Sequence, residues 1–149
     1  MSDKILVSAC LAGCKCRYDG GSEEAGYIVE LTNSKKTVLV CPEQLGEMST
    51  PRAPSERKGD KVVSIDGTDV TNQFMLGANK TLACAKENKI AFAIMKSDSP
   101  SCGCGKIYNG DFDGTLVDGN GVTVDLLIDN GVKIMNEVEG ELWYEQTKK

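Results

Sequence analysis

The chain has 149 residues, 40% of them hydrophobic and 26% charged, which predicts one globular domain over residues 1–149. Its net charge of −5 argues against a nucleic-acid partner, because phosphate binding requires an excess of Lys and Arg. No apolar run approaches the roughly 18 residues of a membrane span, and the N-terminal run is too short for a signal peptide. We therefore expect no membrane partner and a cytoplasmic location.

Apolar runs and helical periodicity alternate along the chain. Short apolar runs predict five strands, at residues 4–9, 37–40, 61–67, 89–96 and 132–137. Apolar residues at helical spacing predict two helices, at 23–34 and 70–88, and a Thr or Asn near its start and a Gly at its end predict a third at 122–131. This order predicts an α/β fold: a single three-layer domain with a mostly parallel central sheet flanked by helices.

Four segments lack a regular pattern. Residues 10–22 predict a loop, and residues 41–60, which hold three of the four prolines, predict a loop or broken helix. Residues 97–121 are rich in Gly, Asp and Ser and predict a long loop. A loop of that length in a compact domain is usually functional. The tail, 140–149, shows no pattern that decides its structure.

The sequence contains seven cysteines and no histidine. Without histidine there is no Ser-His-Asp triad, no Cys-His dyad and no histidine-rich zinc enzyme. Cys10, Cys41 and Cys102 each follow a predicted strand. Ligands of an open parallel sheet bind in the crevice outside the carboxyl ends of the strands, so these three thiols are expected to meet there. That arrangement predicts a metal site.

The residue pattern favours an iron–sulfur cluster over zinc. A structural zinc site needs four ligands, and the fourth would have to come from Cys14, Cys16 or Cys104. The spacings C-x3-C and C-x-C do not match the usual C-x2-C pairs of zinc knuckles. Thiolates without histidine suit an iron–sulfur cluster better, and three cysteines leave one position open.

Several motifs resemble one bacterial family, the iron–sulfur cluster-dependent thiouracil desulfidases. They are "SACLAGCKCRYDGG", "VCPEQLG", "PRAPSE", "GTDVTNQFMLGA" and "SPSCGCGKIYNGDFDGTLVDGNGVT". The resemblance extends from about residue 4 to residue 136. "CPEQLG" and "SPSCG" are specific when they occur together in this order.

The resemblance implies an activity and a set of site residues. A [4Fe-4S] cluster would be bound by Cys10, Cys41 and Cys102, and its open iron would bind the sulfur of a small thiolated pyrimidine such as 2-thiouracil. Water would replace the sulfur without net electron transfer, releasing hydrogen sulfide. Glu43 matches the family's acid–base carboxylate, and Ser101 matches a residue that assists proton transfer or orients the substrate.

Other interpretations remain open at this point. A non-enzymatic iron–sulfur or zinc-binding protein would use the same thiols, and a desulfidase could act on another thiolated metabolite. A radical enzyme that cleaves a sulfonium cofactor would need C-x3-C-x2-C, one residue longer than the C-x3-C-x-C found here. The net charge argues against a fourth interpretation, a tRNA-desulfurising enzyme.

The individual residues also have structural interpretations. The three cysteines could be buried core thiols, since free Cys is among the most buried residue types. Glu43 could stabilise a helix N-terminus, and Ser101 could be a turn residue. Cys14, Cys16 and Cys104 could be secondary thiols beside a cluster or could have no role in it.

Overall fold

A parallel sheet with a helical layer on each face forms the centre of the protein. The structure is a computed structural model that describes residues 4–148. The strands are β1 (Ile5–Ser8), β2 (Thr37–Val40), β3 (Ser55–Lys58), β4 (Lys61–Ser64), β5 (Phe92–Met95), β6 (Lys106–Tyr108), β7 (Leu116–Asp118) and β8 (Lys133–Asn136). The helices are α1 (Gly26–Asn33), α2 (Pro42–Leu45), α3 (Thr71–Glu87), α4 (Val122–Asp129) and α5 (Glu137–Thr147).

The central sheet has the strand order β2-β1-β5-β8, and all neighbouring strands in it are parallel. Every residue of β1 is buried, as expected for a strand covered on both faces. Ile5 and Val7 belong to one core cluster and Leu6 to another, because successive side chains of a strand point to opposite faces. The predicted fold class is therefore confirmed.

Each face of the sheet is covered by two helices. The first core cluster joins Ile5 and Val7 to Tyr27 and Ile28 of α1 and to Trp143 of α5. The second cluster joins the opposite face to α3 and α4, through Ala85, Val124 and Leu127. The sequence predicted all of these helices except α5, and the observed bounds are slightly shorter than the predicted ones.

Two antiparallel hairpins lie outside the central sheet, β3–β4 and β6–β7. The strand predicted at 61–67 is β4, but its partner β3 lies in the segment predicted as loop or broken helix. The same segment contains α2. The predicted long loop at 97–121 contains β6 and β7. The expected loops at 41–60 and 97–121 were therefore wrong in part. The strand β3 is polar ("SERK") and every residue of β7 is exposed, so neither strand has the buried face that marks the strands of the central sheet.

The tail contains α5, which the sequence pattern did not predict. Asn136 accepts a hydrogen bond from the Glu139 backbone N–H, and the Glu139 carboxylate accepts one from the Asn136 N–H, forming a capping box. The Trp143 ring packs against Phe92, with ring centroids 5.0 Å apart. This cap ends the strand predicted at 132–137 at Asn136. No helix among residues 4–148 is long and apolar enough to cross a membrane.

Two glycines allow α2 to lie directly on α3. A Cβ atom at Gly77 would overlap the Pro42 carbonyl oxygen, and one at Gly46 would overlap the Gln73 carbonyl oxygen. Backbone therefore contacts backbone on both sides of this crossing. This contact also bears on the candidate site, because Glu43 lies on α2.

Replacing Gly77 with Ala is expected to lower the free energy of unfolding by about 1–3 kcal/mol, because the added methyl group must push α2 away from α3. Urea unfolding of the metal-free protein measures the change. The matched control is Gly26→Ala at the start of α1, where no atom lies within 4 Å of the added Cβ. If both substitutions have equally small effects, the close crossing of α2 and α3 is not needed for stability.

Candidate active site

A cavity of about 540 Å³ opens at the carboxyl ends of β1, β2 and β5. Cys10 lies in the short 3-10 turn that continues β1, and Cys41 follows β2 directly and precedes α2. Cys102 comes from the segment after β5. All three line the cavity. The structure thus brings together three thiols that lie up to 92 positions apart (102 − 10), because the three strands are neighbours in the sheet.

Cys16 is a fourth thiol at this cavity. It is buried and lines the cavity with Cys10 and Cys41, and both of these thiols influence its pKa. The Cys41 thiol also donates to the Cys16 carbonyl oxygen, with 3.7 Å between sulfur and oxygen. The sequence singled out Cys16 only as a possible secondary thiol, because the path of the 10–22 loop cannot be read from its composition.

Three of the cavity thiols, Cys16, Cys41 and Cys102, are protonated at neutral pH in the metal-free protein. The hydrogen bond with Cys10, together with burial, raises the pKa of Cys16 to about 11. Burial raises the pKa of Cys102 to about 12. The pKa of Cys41 is also raised, first by its hydrogen bond with Cys16 and then by burial. Metal ligation needs thiolates, so assembly of a metal site here must displace protons.

The remaining cysteines lie elsewhere. Cys14 is exposed and does not line the cavity. Cys104, the other residue considered as a secondary thiol, is partly buried against the second core cluster and also lies outside the cavity lining. Cys84 of α3 packs against the same cluster. Of the three possible secondary thiols, the structure therefore brings only Cys16 to the cavity.

Glu43 and Ser101 contact each other at the cavity wall. The Ser101 hydroxyl donates to Glu43 Oε2 at 3.0 Å. Ser101 is 2% exposed, and the Glu43 side chain is 16% exposed. Glu43 lies on α2, just after Cys41, while Ser101 immediately precedes Cys102. Each of these two polar residues is therefore close in sequence to a predicted cysteine ligand, and both line the same cavity.

Ser99 fixes the orientation of the Ser101 hydroxyl. Ser99 Oγ accepts hydrogen bonds from the backbone N–H groups of Ser101, at 3.1 Å, and Cys102, at 3.0 Å. Its own hydroxyl lies 3.0 Å from Ser101 Oγ. Since Ser101 has one proton and gives it to Glu43, Ser99 is the donor in this pair. The hydroxyl chain therefore runs from Ser99 through Ser101 to Glu43.

Arg52 is a site residue that the sequence analysis did not single out. Its Nε donates to Glu43 Oε1 at 3.0 Å, and its Nη2 donates to the Cys16 carbonyl oxygen at 2.9 Å. The side chain is only 6% exposed. The motif "PRAPSE" contains this residue, but an arginine between two prolines gives no local sign of its partner nine positions earlier.

A second charged group borders the cavity at the end of β5. Lys96 and Ser97 line it, and the Glu137 carboxylate holds both of them. Lys96 Nζ lies 3.2 Å from Glu137 Oε2, and the Ser97 hydroxyl donates to the same oxygen at 2.9 Å. Burial alone would raise the pKa of Glu137, but its hydrogen bonds and the Lys96 charge lower it. The first residue of α5 thus fastens this edge of the cavity.

The outer part of the cavity is lined by large apolar and aromatic side chains, including Tyr18, Ile65, Tyr108 and Phe112. The loop of the β6–β7 hairpin is held there by Glu56, whose Oε1 accepts from the N–H groups of Gly110, at 2.9 Å, and Phe112, at 3.1 Å. Aromatic faces and a polar inner end suit a flat, partly polar ligand.

The thiols share one cavity but not one point. Among residues 4–148, no group of three or more Cys, Asp or Glu side chains is placed to hold a single metal ion. The ligands of an iron–sulfur cluster bind different irons, so they surround a volume instead of converging on one atom. The cavity size and an all-thiol donor set fit such a cluster. The three thiols thus meet at the predicted edge of the sheet, but they surround a volume and do not converge on a single atom.

Known proteins resemble this chain over nearly its whole length. A Bacillus subtilis (strain 168) protein, the uncharacterised YbbK, is 46% identical over 145 residues, which is 91% of this chain and 96% of YbbK. A solved structure described as the [4Fe-4S]-dependent thiouracil desulfidase TudS (DUF523Vcz) matches with a TM-score of 0.90 at 40% identity. The match covers 99% of this chain and 100% of that one. A family model for 2-thiouracil desulfurase matches residues 5–139, and this chain belongs to that family.

Proposed function

We propose that this protein is a [4Fe-4S]-dependent desulfidase that converts a small thiolated pyrimidine, such as 2-thiouracil, into the oxo compound and hydrogen sulfide. Water supplies the oxygen: C=S plus H₂O gives C=O plus H₂S, with no net electron transfer. The observation that carries the proposal is the Glu43–Ser101 pair on the wall of the cavity that Cys10, Cys41 and Cys102 line.

The residues at the cavity fit the proposed cofactor. Cys10, Cys41 and Cys102 would hold the cluster from three neighbouring strand ends, leaving one iron without a protein ligand. When bound, the cluster would supply a Lewis acid that polarises the substrate's carbon–sulfur bond. Cys16, which lines the same cavity, would lie beside the ligands without binding iron.

Glu43 would handle the protons of the reaction. Its Oε2 would take a proton from the attacking water and return one to the departing sulfur, so that the carboxylate ends the cycle unchanged. Ser101 Oγ lies 3.0 Å from Glu43 Oε2 and 3.6 Å from Cys102 Sγ. The hydroxyl therefore lies between the carboxylate and the sulfur-rich end of the cavity, where it can pass a proton.

The outer cavity would bind the pyrimidine ring. Stacking on aromatic side chains stabilises a flat heterocycle through its faces and leaves the ring edge free for hydrogen bonds. Tyr18, Tyr108 and Phe112 are available for such stacking. Their position at the mouth would direct the substituent on the ring toward the thiols.

The test uses protein purified and reconstituted without oxygen. We expect about four irons and four sulfides per chain, and equimolar uracil and hydrogen sulfide from 2-thiouracil. In ¹⁸O-labelled water the uracil should gain one labelled oxygen, since water is the proposed oxygen donor. Metal-free protein handled in parallel is the control. A sample with a full cluster that forms no uracil would contradict the proposed activity and favour an iron–sulfur carrier.

A further inference from the structure

We infer that Arg52 is a positioning residue for the desulfidation reaction: it holds the Glu43 carboxylate and the cysteine loop around Cys16 in one fixed arrangement. The inference rests on the proposed function, but it concerns contacts among this chain's own residues. Arg52 would act through Glu43 and would not take part in bond making or breaking.

The contacts of Arg52 reach three separate parts of the chain. Its Nε donates to Glu43 Oε1 at 3.0 Å, and its Nη2 donates to the Cys16 carbonyl oxygen at 2.9 Å. Its Nη1 donates to Thr50 Oγ1 at 3.0 Å. The Arg52 backbone N–H also donates to the Tyr18 carbonyl oxygen at 2.7 Å. A side chain that is 6% exposed and bonded on three nitrogens cannot rotate freely.

Arg52 and Ser101 each donate to a different oxygen of the Glu43 carboxylate. Arg52 bonds Oε1, and the Ser101 hydroxyl bonds Oε2 at 3.0 Å. With one contact the carboxylate could still rotate about the Cγ–Cδ bond of Glu43, but two contacts on different oxygens fix the plane of the carboxylate. The oxygen that faces Ser101 is thus the one left for proton transfer.

The same guanidinium group links Glu43 to the cysteine loop. The Cys16 carbonyl oxygen accepts from Arg52 Nη2 at 2.9 Å and from the Cys41 thiol at 3.7 Å. A planar guanidinium group reaches Glu43 and this carbonyl through two separate nitrogens, each with its own fixed direction. Lysine keeps the charge but carries all its donors on one nitrogen, so it cannot reproduce both contacts with the arginine geometry.

The experiment measures reconstituted Arg52→Lys and Arg52→Met enzymes. We expect kcat for thiouracil to fall by about 10- to 100-fold in both, as expected for a misplaced acid–base group, with KM and iron content close to those of the unmodified enzyme. The matched control is Arg57→Lys, a partly buried arginine paired with Asp125 outside the cavity lining, which should keep its kcat. An unchanged kcat in Arg52→Met would overturn the inference.

A second measurement separates positioning from general destabilisation. Adding Arg52→Met to Glu43→Gln should cost little further activity, because the group that Arg52 positions is already lost. Equal losses in both backgrounds would show a merely structural role and overturn the inference. If the unmodified, fully loaded enzyme forms no uracil, the proposed function fails. Urea unfolding of the metal-free variants then decides whether Arg52 holds the Glu43 carboxylate: coupling between the two substitutions supports this and additivity overturns it.

Discussion

Glu43→Gln is expected to lower kcat for desulfuration by about 10²- to 10⁴-fold, the usual contribution of general acid–base catalysis. Glutamine has the same shape as glutamate, and its amide oxygen can still accept from Arg52, but its amide nitrogen cannot accept from Ser101 and the side chain cannot take a proton from water. The bound iron should not change, since Glu43 is not among the proposed ligands. Steady-state kinetics, with an iron and sulfide assay on each sample, measures both quantities.

The control for this substitution is Glu47→Gln. Glu47 follows α2 closely, but it is exposed and does not line the cavity. Glu47→Gln should therefore behave as the unmodified enzyme does. Full activity in Glu43→Gln would show that another group moves the protons, and the hydroxyls of Ser99 and Ser101 would become the next candidates.

Replacing Cys10, Cys41 or Cys102 with Ser is expected to remove most of the iron from the reconstituted protein. Serine preserves the size of the side chain, but its hard oxygen is a poor substitute for a soft thiolate in binding iron–sulfur clusters. Visible absorbance and iron analysis after anaerobic reconstitution measure the loss. Each variant should still fold without metal, because it keeps a small buried group in place.

The other thiols provide the matched controls. Cys14→Ser and Cys104→Ser change residues outside the cavity lining and should retain about four irons, the content of a complete cluster. Cys16→Ser is the sharper comparison, since Cys16 lines the same cavity and touches Cys10 and Cys41. Retained iron in Cys16→Ser supports a three-cysteine cluster. Loss of iron as complete as in Cys10→Ser would make Cys16 a fourth ligand and leave no open position for substrate.

The agreement between sequence and structure is closest where a pattern is local. The apolar runs "ILVS" and "TVLV" contain their strand signal within four residues, and α3 shows its buried stripe in Phe74, Ala78 and Ala85. Burial of these side chains drives the folding, and burial follows a period that can be read along the chain. The layers of the fold follow from the same periodicity.

The agreement is poorest where an element is stabilised by distant partners. The polar strand β3 exists because it pairs with β4. The β6–β7 loop is held by Glu56, 54 residues before Gly110. Helix α5 depends on the Asn136 cap and on Trp143 packing against Phe92. None of these stabilising contacts leaves a periodic apolar pattern in the segment itself.

The sequence by itself determined the alternation of the four central strands with helices α1, α3 and α4, the parallel sheet, and the expectation that Cys10, Cys41 and Cys102 meet at one edge. The family motifs added Glu43 and Ser101. Only the tertiary structure placed Cys16 in the cavity, excluded Cys14 and Cys104 from its lining, and showed that Arg52 and Ser101 bond opposite oxygens of Glu43. The physical reason is that burial and the succession of strands and helices along the chain depend on residue spacing, whereas hydrogen-bond partners depend on where loops cross in space.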